Sequence, residues 1–190
     1  MFQTKRSDYL YTPLFCEENI WHLADALIRQ GVSDSDLHIV FITNSTRQVA
    51  VFNQQTTNAH SVVIWDYHVV LLRKTANEFL IYDFDTTAPF ITPASQYLAL
   101  SFPQYALIPD LYQPQFRLIE SQVYLNRFSS DRSHMLGVIA ANKFPDYPAI
   151  QPWENQPAIS LSQCIDIDSA LPANDSLFSL VQLKLKVFKP

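Results

Sequence analysis

Hydrophobic positions near the start of the chain repeat at the spacing of a helix. Between residues 16 and 30 the spacing of the apolar side chains is three to four residues. These side chains are Ile20, Leu23, Ala24, Leu27 and Ile28. Glu17 and Glu18 would lie in the first turn, and Gly31 follows the last apolar position. Acidic residues at the start and glycine at the end are typical helix boundaries. The pattern therefore predicts a helix that begins at or just before Cys16.

After this helix, the pattern changes to runs rich in branched and aromatic residues. Four such runs predict β-strands, and they cover residues 37–42, 48–52, 61–72 and 79–85. Short polar connectors favour antiparallel hairpins and exclude a parallel βαβ crossover. Nine prolines between residues 89 and 157 predict an irregular segment, with a strand near 115–120 and a short helix near 121–128. The run 177–188 alternates weakly and predicts a last strand.

The hairpin formed by the third and fourth runs brings acidic and basic side chains together. Alternate residues of a strand share a face, so Asp66 and His68 are expected to point the same way. A four-residue turn at 74–77 would place His68 opposite Asp83, and Asp66 opposite Asp85. Directly opposed β-carbons lie about 4.5–5.5 Å apart, which allows a hydrogen bond between the imidazole and the carboxylate.

A histidine held by a carboxylate can serve as the general base for a nucleophile. Cys16 is the best candidate nucleophile, because a helix N-terminus and an imidazolium both favour thiolate. Glu17 and Glu18 act in the opposite direction. We expect the thiolate to be favoured only if both glutamates turn away. Free N–H groups at the helix start could also hold an oxyanion.

Each of these residues also has a structural interpretation. Cys16 could be an inert packed thiol, His68 a satisfied core histidine, and Asp83 a residue that ends a strand. A metal site formed by His60, Asp66, His68 and Asp83 is disfavoured, since no HxH or HExxH spacing is present. Cys164 has no histidine close to it in sequence, so we expect it to be packing.

Composition narrows the class of protein. The chain has 190 residues, a net charge of −5 and 48% hydrophobic residues, which fits a single folded domain over residues 1–190. The acidic balance argues against a nucleic-acid partner or an anionic membrane surface. The absence of a long apolar run or a secretory leader pattern argues against membrane insertion and export. Two cysteines indicate a reducing cytoplasm, and two glycines leave no phosphate-binding loop. We therefore expect neither a cofactor nor a metal.

Four strings of this sequence resemble the protein N-terminal glutamine amidohydrolase family. They are CEENIW from Cys16, VIWDYHVVLL from Val63, IYDFDT from Ile81 and SDRSHM from Ser130. The similarity covers about residues 10–135 in order. The resemblance implies a papain- or transglutaminase-like α/β (α+β) fold with a central antiparallel sheet and the nucleophile at a helix N-terminus. It also assigns the catalytic roles to Cys16, His68 and Asp83.

The resemblance implies deamidation of N-terminal glutamine to glutamate with release of ammonia through a thioester. The partners would be proteins or peptides with an exposed N-terminal glutamine, acted on by a cytoplasmic monomer. A eukaryotic host would add the nucleus and an N-degron pathway. Candidate substrate-binding residues are Glu17, Glu18, Trp65 and Asp66. The three acids among them are candidates for binding the substrate ammonium, which needs a carboxylate. The alternatives are a papain-like thiol protease or acyl transferase, and a non-catalytic adaptor for peptide termini.

Overall fold

A six-stranded antiparallel sheet forms the centre of the molecule in a computed structural model, with the strand order β10-β7-β1-β4-β5-β6. Small two-stranded sheets pair β2 with β3 and β8 with β9. The structure describes residues 5–55, 62–103, 105–153, 155–171 and 175–187. The strands are β1 (Leu37–Thr43), β2 (Val49–Phe52), β3 (Val62–Trp65), β4 (His68–Lys74), β5 (Phe79–Tyr82), β6 (Ile91–Pro93), β7 (Gln115–Glu120), β8 (Phe128–Ser129), β9 (Ile159–Ser160) and β10 (Asp175–Ser179). The α-helices are α1 (Cys16–Arg29), α2 (Ala94–Ser101), α3 (Ser121–Arg127), α4 (Leu161–Ile165) and α5 (Leu180–Val187).

Both faces of the central sheet are buried. On one face, Phe41 of β1 and Val69 of β4 belong to the same apolar cluster as Leu23 of α1. On the other face, Val40 and Val70 cluster with side chains of α2 and α5. A sheet that is covered on both faces needs apolar residues at every position. This requirement explains why β1 and the first five residues of β4 are almost entirely hydrophobic.

The expected helix at 16–30 is present as α1, and the expected elements at 115–120 and 121–128 are present as β7 and α3. The strand predicted at 177–188 is wrong, because the described part of it is the end of β10 followed by α5. The irregular segment also contains α2 and β6, which the proline count concealed. Residue 61 and the end of the last run lie outside the described residues. No helix in the described part of the chain is long and apolar enough to cross a membrane.

The long run at 61–72 is two strands and not one. β3 pairs with β2, whereas β4 joins the central sheet between β1 and β5. The chain leaves strand geometry at residues 66 and 67, so the predicted common face of Asp66 and His68 does not follow from strand parity. The predicted hairpin of the first two runs is also absent. The side chain of Asn44 bonds the backbone oxygens of Leu111 and Gln113, which ties the turn after β1 to a distant segment.

The register of the β4–β5 hairpin differs from the prediction by two residues. Arg73 pairs with Leu80 and not with residue 78, because the turn closes with the Thr75 amide donating to the Glu78 carbonyl oxygen at 2.9 Å. A shift of two residues leaves every side chain on its expected face. His68 and Asp83 therefore still meet, with Asp83 just beyond the end of β5.

Candidate active site

Cys16 is the first residue of α1, as the sequence predicts. The segment before it is fixed by Asn19, whose side chain accepts from the Thr12 amide and donates to the Thr12 carbonyl oxygen, both at 2.8 Å. Leu14 has a φ of 71°, a left-handed conformation that is costly for a branched side chain. This bend leads directly into the helix. The local chain path therefore holds the thiol at a helix start, where N–H groups lack helical partners.

His68 begins β4 and is almost completely buried beside Asp83. Its Nε2 lies 2.9 Å from Oδ1 of Asp83. The other carboxylate oxygen accepts from the Tyr97 hydroxyl at 2.9 Å, and the Asp85 amide donates to Oδ1 at 2.8 Å. Trp65 stacks on the imidazole with ring centroids 5.5 Å apart and an interplanar angle of 16°. The ring is thus held in one orientation by an acid at its edge and an indole on its face.

Asp83 makes His68 a stronger base than a buried histidine would otherwise be. Burial by itself lowers the pKa of His68, but the charge and hydrogen bond of Asp83 together outweigh it, so the pKa is raised. Burial raises the pKa of Asp83, and His68 with the donors from Asp85 and Tyr97 lowers it overall. With Nε2 engaged by Asp83, Nδ1 is the nitrogen left for proton exchange. It has no hydrogen-bond partner among the described residues, although it is buried.

A cavity of about 230 Å³ connects these groups. Its volume is below the roughly 300–1,000 Å³ of pockets for drug-sized ligands, so it suits one or two side chains. The lining is largely apolar and comprises Tyr11, Pro13, Leu14, Cys16, Trp65, Asp66, Tyr67, His68, Asp85, His134, Met135 and Val138. Cys16 and His68 therefore face one space. The backbone of Val69, next to His68, also acts to lower the pKa of the Cys16 thiol.

Glu17 stays close to the thiol and does not turn away. Its Oε2 lies 3.6 Å from Cys16 Sγ and accepts from the Tyr67 hydroxyl at 3.0 Å. Burial raises the pKa of Glu17 to about 7. Burial also raises the pKa of the Cys16 thiol well above 9, and the charge of Glu17 acts in the same direction. A thiolate was expected to be favoured only if both glutamates turned away from Cys16, and Glu17 does not.

Glu18 is the glutamate that turns away. Its carboxylate is fully buried and receives two hydrogen bonds from Arg132, at 2.8 and 2.7 Å, and another from the Ser130 hydroxyl. Arg132 also donates to the Tyr147 carbonyl oxygen at 3.0 Å. This ion pair joins Glu18 on α1 to the chain segment that carries His134. That segment forms one wall of the cavity.

Of the four residues expected to contact substrate, Trp65 and Asp66 line the cavity. Glu17 and Glu18 are buried beside it and are not in its lining. Cys164 is completely buried on α4, and burial raises its pKa to about 12, as expected of a packing thiol.

Three residues at the site were not selected from the sequence. Asp85 lines the cavity and accepts from the Tyr11 hydroxyl at 2.6 Å, and Tyr97 on α2 holds Asp83. The strand pattern had placed Asp85 near Asp66, which was a usable signal. No spacing rule identified the two tyrosines, because they come from a loop and from a helix that the prolines concealed.

His68, Asp83 and Asp85 also offer ligand atoms within 4.8 Å of one another, which is a possible spacing for a metal ion. In this structure those atoms already bond to protein. Oδ1 of Asp83 is shared between Nε2 of His68 and the Asp85 amide, while Oδ1 of Asp85 binds the Tyr11 hydroxyl. A cation at this position would have to replace the bonds that orient the imidazole.

The sheet, the helix-start thiol and the imidazole–carboxylate pair define a mixed α/β protein with the side chains that nucleophilic hydrolases use. The family follows from the comparison with known proteins. The profile of the N-terminal glutamine amidase family matches residues 11–185, and the chain belongs to this family.

Curated relatives agree with this assignment and share the description "Protein N-terminal glutamine amidohydrolase". The Arabidopsis thaliana protein is 37% identical over 135 residues, which are 67% of this chain and 61% of that protein. The Bos taurus protein is 33% identical over 167 residues, or 86% of this chain and 80% of that protein. The Homo sapiens protein is 32% identical over the same shares of the two chains. The resemblance found in the four sequence strings is therefore confirmed.

Proposed function

We propose that this protein hydrolyses the side-chain carboxamide of N-terminal glutamine in proteins or peptides, giving N-terminal glutamate and ammonia. Cys16 is the nucleophile, His68 the general acid and base, and Asp83 the residue that orients His68. The observation that carries the proposal is the buried imidazole. One of its nitrogens is bound to Asp83, and the other is unpartnered in the described structure, in a side chain that lines the cavity with Cys16.

The first half of the reaction forms a thioester. His68 Nδ1 accepts the proton of the Cys16 thiol, and the sulfur attacks the carboxamide carbon. N–H groups at the start of α1 are suited to hold the oxyanion. As the intermediate collapses, the C–N bond breaks and Nδ1–H of the imidazolium is donated to the nitrogen, which leaves as ammonia.

The second half consumes one water molecule. His68 takes a proton from the water as its oxygen attacks the thioester carbon, and the C–S bond then breaks. The glutamate side chain and the free enzyme are regenerated. Throughout, Asp83 keeps the proton on Nε2, so that Nδ1 remains the reacting nitrogen. Tyr97 supports this role, since it holds the second oxygen of Asp83.

The cavity fits the terminal residue of a chain better than an internal one. Its apolar walls suit the methylene groups of a glutamine side chain, while Asp66 and Asp85 provide carboxylates for the α-ammonium group. Asp66 is exposed and Asp85 is buried, so together they would bridge the mouth and the interior. We assign Trp65 to positioning the imidazole and one wall of the cavity. Glu17 and Glu18 are buried outside the cavity lining, so we assign neither of them to contact with substrate.

The proposal extends to fold relationship and location. The helix-start thiol packed against an antiparallel sheet supports a papain- or transglutaminase-like architecture. We also propose that the protein acts as a cytoplasmic monomer, consistent with two unpaired thiols and the acidic net charge.

The test is incubation of a Gln-initiated peptide with the protein, followed by mass spectrometry and an ammonia assay. Deamidation replaces NH₂ by OH in an intact peptide, and an N-acetylated version of the peptide should remain unchanged. Fragmentation of the peptide would instead identify a thiol protease, and binding without any mass change would identify an adaptor. Transfer of the acyl group to an added amine would identify an acyl transferase.

Cys16→Ser should abolish ammonia release while the fold is retained, and Cys164→Ser is the matched control that should remain active. Full activity of Cys16→Ser would contradict the proposed nucleophile. Addition of a chelator should leave the rate unchanged, whereas inactivation by a chelator would favour a metal at His68, Asp83 and Asp85.

A further inference from the structure

Negative charge is concentrated around the Cys16 thiol. Glu17 Oε2 is 3.6 Å from the sulfur, and Asp66 and Asp85 line the same cavity as Cys16. Burial is the largest cause of the raised pKa of the thiol, and the charges of Glu17, Asp85 and Asp66 add to it. Each carboxylate therefore works against the thiolate that the reaction needs.

The nearby cations offset this charge only in part, since Arg6 lowers the pKa of Asp85 but burial keeps that pKa raised. Arg132 is bound by Glu18, and the Arg6 guanidinium near Asp85 donates to the Thr86 carbonyl oxygen at 2.9 Å. The basic side chains in the described lining of the cavity are His68 and His134.

Two tyrosine hydroxyls also interact with the thiol. They belong to Tyr67, which donates to Glu17, and to Tyr124, whose hydroxyl donates to the Glu17 carbonyl oxygen at 3.3 Å. Burial and the neighbouring carboxylates together favour the protonated thiol in the free protein.

The proton acceptor, in contrast, is already in place. His68 is 1% exposed, its Nδ1 has no partner among the described residues, and the side chain lines the cavity. A buried, unsatisfied nitrogen is costly and rare in folded proteins. The site therefore offers a proton acceptor, while burial and three nearby carboxylates disfavour the thiolate that this proton transfer would leave.

We propose that the substrate supplies a positive charge: its terminal ammonium group, bound against Asp66 and Asp85, offsets the carboxylates and switches Cys16 to the reactive thiolate. This inference rests on the proposed function and adds a second role for the amine, which is activation as well as binding. An internal glutamine brings no positive charge, so it would meet a protonated thiol even if its side chain entered the cavity. Selectivity for the chain terminus would then act on the chemical step and not only on affinity.

The experiment measures the Cys16 thiolate directly, by its ultraviolet absorbance across a pH series of the full-length protein. Subtracting the same titration of Cys16→Ser removes the signal of Cys164 and of the tyrosines. The probe is a Met-initiated peptide, which carries the ammonium group but no carboxamide, compared with its N-acetylated form. Binding of both peptides is followed by calorimetry.

The unblocked peptide should raise the thiolate fraction at a fixed pH roughly tenfold or more, as expected for an opposite charge placed about 4–6 Å away. The acetylated peptide should leave it unchanged. Equal thiolate fractions with both peptides would overturn the proposal. Failure of the unblocked peptide to bind would also overturn it, because the two carboxylates would then not receive an ammonium group.

Charge-removing variants test the same point without relying on one substitution. Asp85→Asn should increase the thiolate fraction of the free protein and reduce the response to peptide, whereas Glu78→Gln on the exposed β4–β5 turn should do neither. Asp66→Asn, at an exposed position, repeats the test if Asp85→Asn fails to fold. Unchanged responses in both Asp variants would contradict the proposal. Deamidation of Gln peptides without an ammonium-linked change in thiolate would overturn this inference alone, while absence of deamidation would overturn the proposed function.

Discussion

Two acid–base pairs lie near Cys16, and they differ in how completely their polar atoms are hydrogen-bonded. Glu18 and Arg132 bond each other twice, and a hydroxyl and a backbone oxygen occupy further positions. His68 and Asp83 share one bond, and Nδ1 of His68 is left without a partner among the described residues. Buried polar groups are normally paired. The saturated pair fits a structural role, and the incomplete pair has the free nitrogen that the proposed chemistry requires.

Two neighbouring residues of α1 belong to these different environments. Cys16 is followed by Glu17, which faces the thiol, and by Glu18, which faces away to Arg132. Successive residues of a helix point in directions about 100° apart. One helical turn thus combines the proposed nucleophile, an acid beside its sulfur and an anchor for the cavity wall.

Breaking the incomplete pair should have the largest effect. Asp83→Asn keeps the shape of the side chain but removes the charge that fixes the proton on Nε2 of His68. We expect a fall in the rate of ammonia release of roughly 10⁴-fold, by analogy with triads in which the same change selects the wrong tautomer. The rate is measured with a Gln-initiated peptide on folded protein, and a loss of less than about tenfold would contradict the role of Asp83.

The same variant has a pH signature. In the wild type, Asp83 raises the pKa of His68 although burial opposes it, so the pair stabilises the fold below the unfolded His pKa of about 6.5. This contribution is lost as pH rises through the folded pKa of His68. Because the pKa of Asp83 is lowered in the folded state, the stability that its carboxylate contributes is lost as pH falls below about 4. The difference in unfolding free energy between wild type and Asp83→Asn should therefore be greatest between about pH 4 and 6.5.

Breaking the saturated pair should instead reduce stability. Arg132→Gln leaves the Glu18 carboxylate buried without its cation, which typically costs about 3–5 kcal/mol of unfolding free energy. Arg29→Gln is the matched control, because its ion pair with Asp25 lies on the surface and should contribute about 0–1 kcal/mol. Denaturant unfolding measures the loss of unfolding free energy in both variants. Equal losses would show that the Glu18 pair is no more important than a surface contact.

The smallest effect is expected from Glu17→Gln, and it should depend on pH. Burial raises the pKa of Glu17 from 4.5 to about 7, so the folded state binds the proton more tightly than the unfolded state. Stability of the wild type should therefore fall as pH rises from about 4.5 to 7, by roughly 3 kcal/mol. Glu17→Gln should lose this slope and Glu78→Gln should keep it. Parallel pH–stability curves for wild type and Glu17→Gln would contradict the assignment.

Local sequence signals were sufficient for the helix that carries the thiol. The apolar spacing, the acidic first turn and Gly31 all act within one helix, and α1 begins at the expected residue. The His68–Asp83 contact was also accessible from sequence, because strand alternation has a period of two. The predicted register was wrong by two residues, an error that leaves both side chains on the same face.

Other features depended on chain segments that are far apart. The break at residues 66 and 67 separates two strands that join different sheets, and nothing in the hydrophobic run marks it. The Tyr97 hydroxyl reaches Asp83 from a helix in the proline-containing segment. The orientation of the two glutamates was likewise undetermined, since Glu18 finds its partner 114 residues away.

The amino-acid sequence by itself determined the family, the helix start at Cys16 and the face shared by His68 and Asp83, since these depend on local periodicity and short motifs. Tertiary structure alone decided which acid stays beside the thiol, which one is neutralised by Arg132, and which hydroxyls hold the carboxylates. Those outcomes depend on burial and on contacts between distant segments, and the free energy of a buried charge is set by what surrounds it in space.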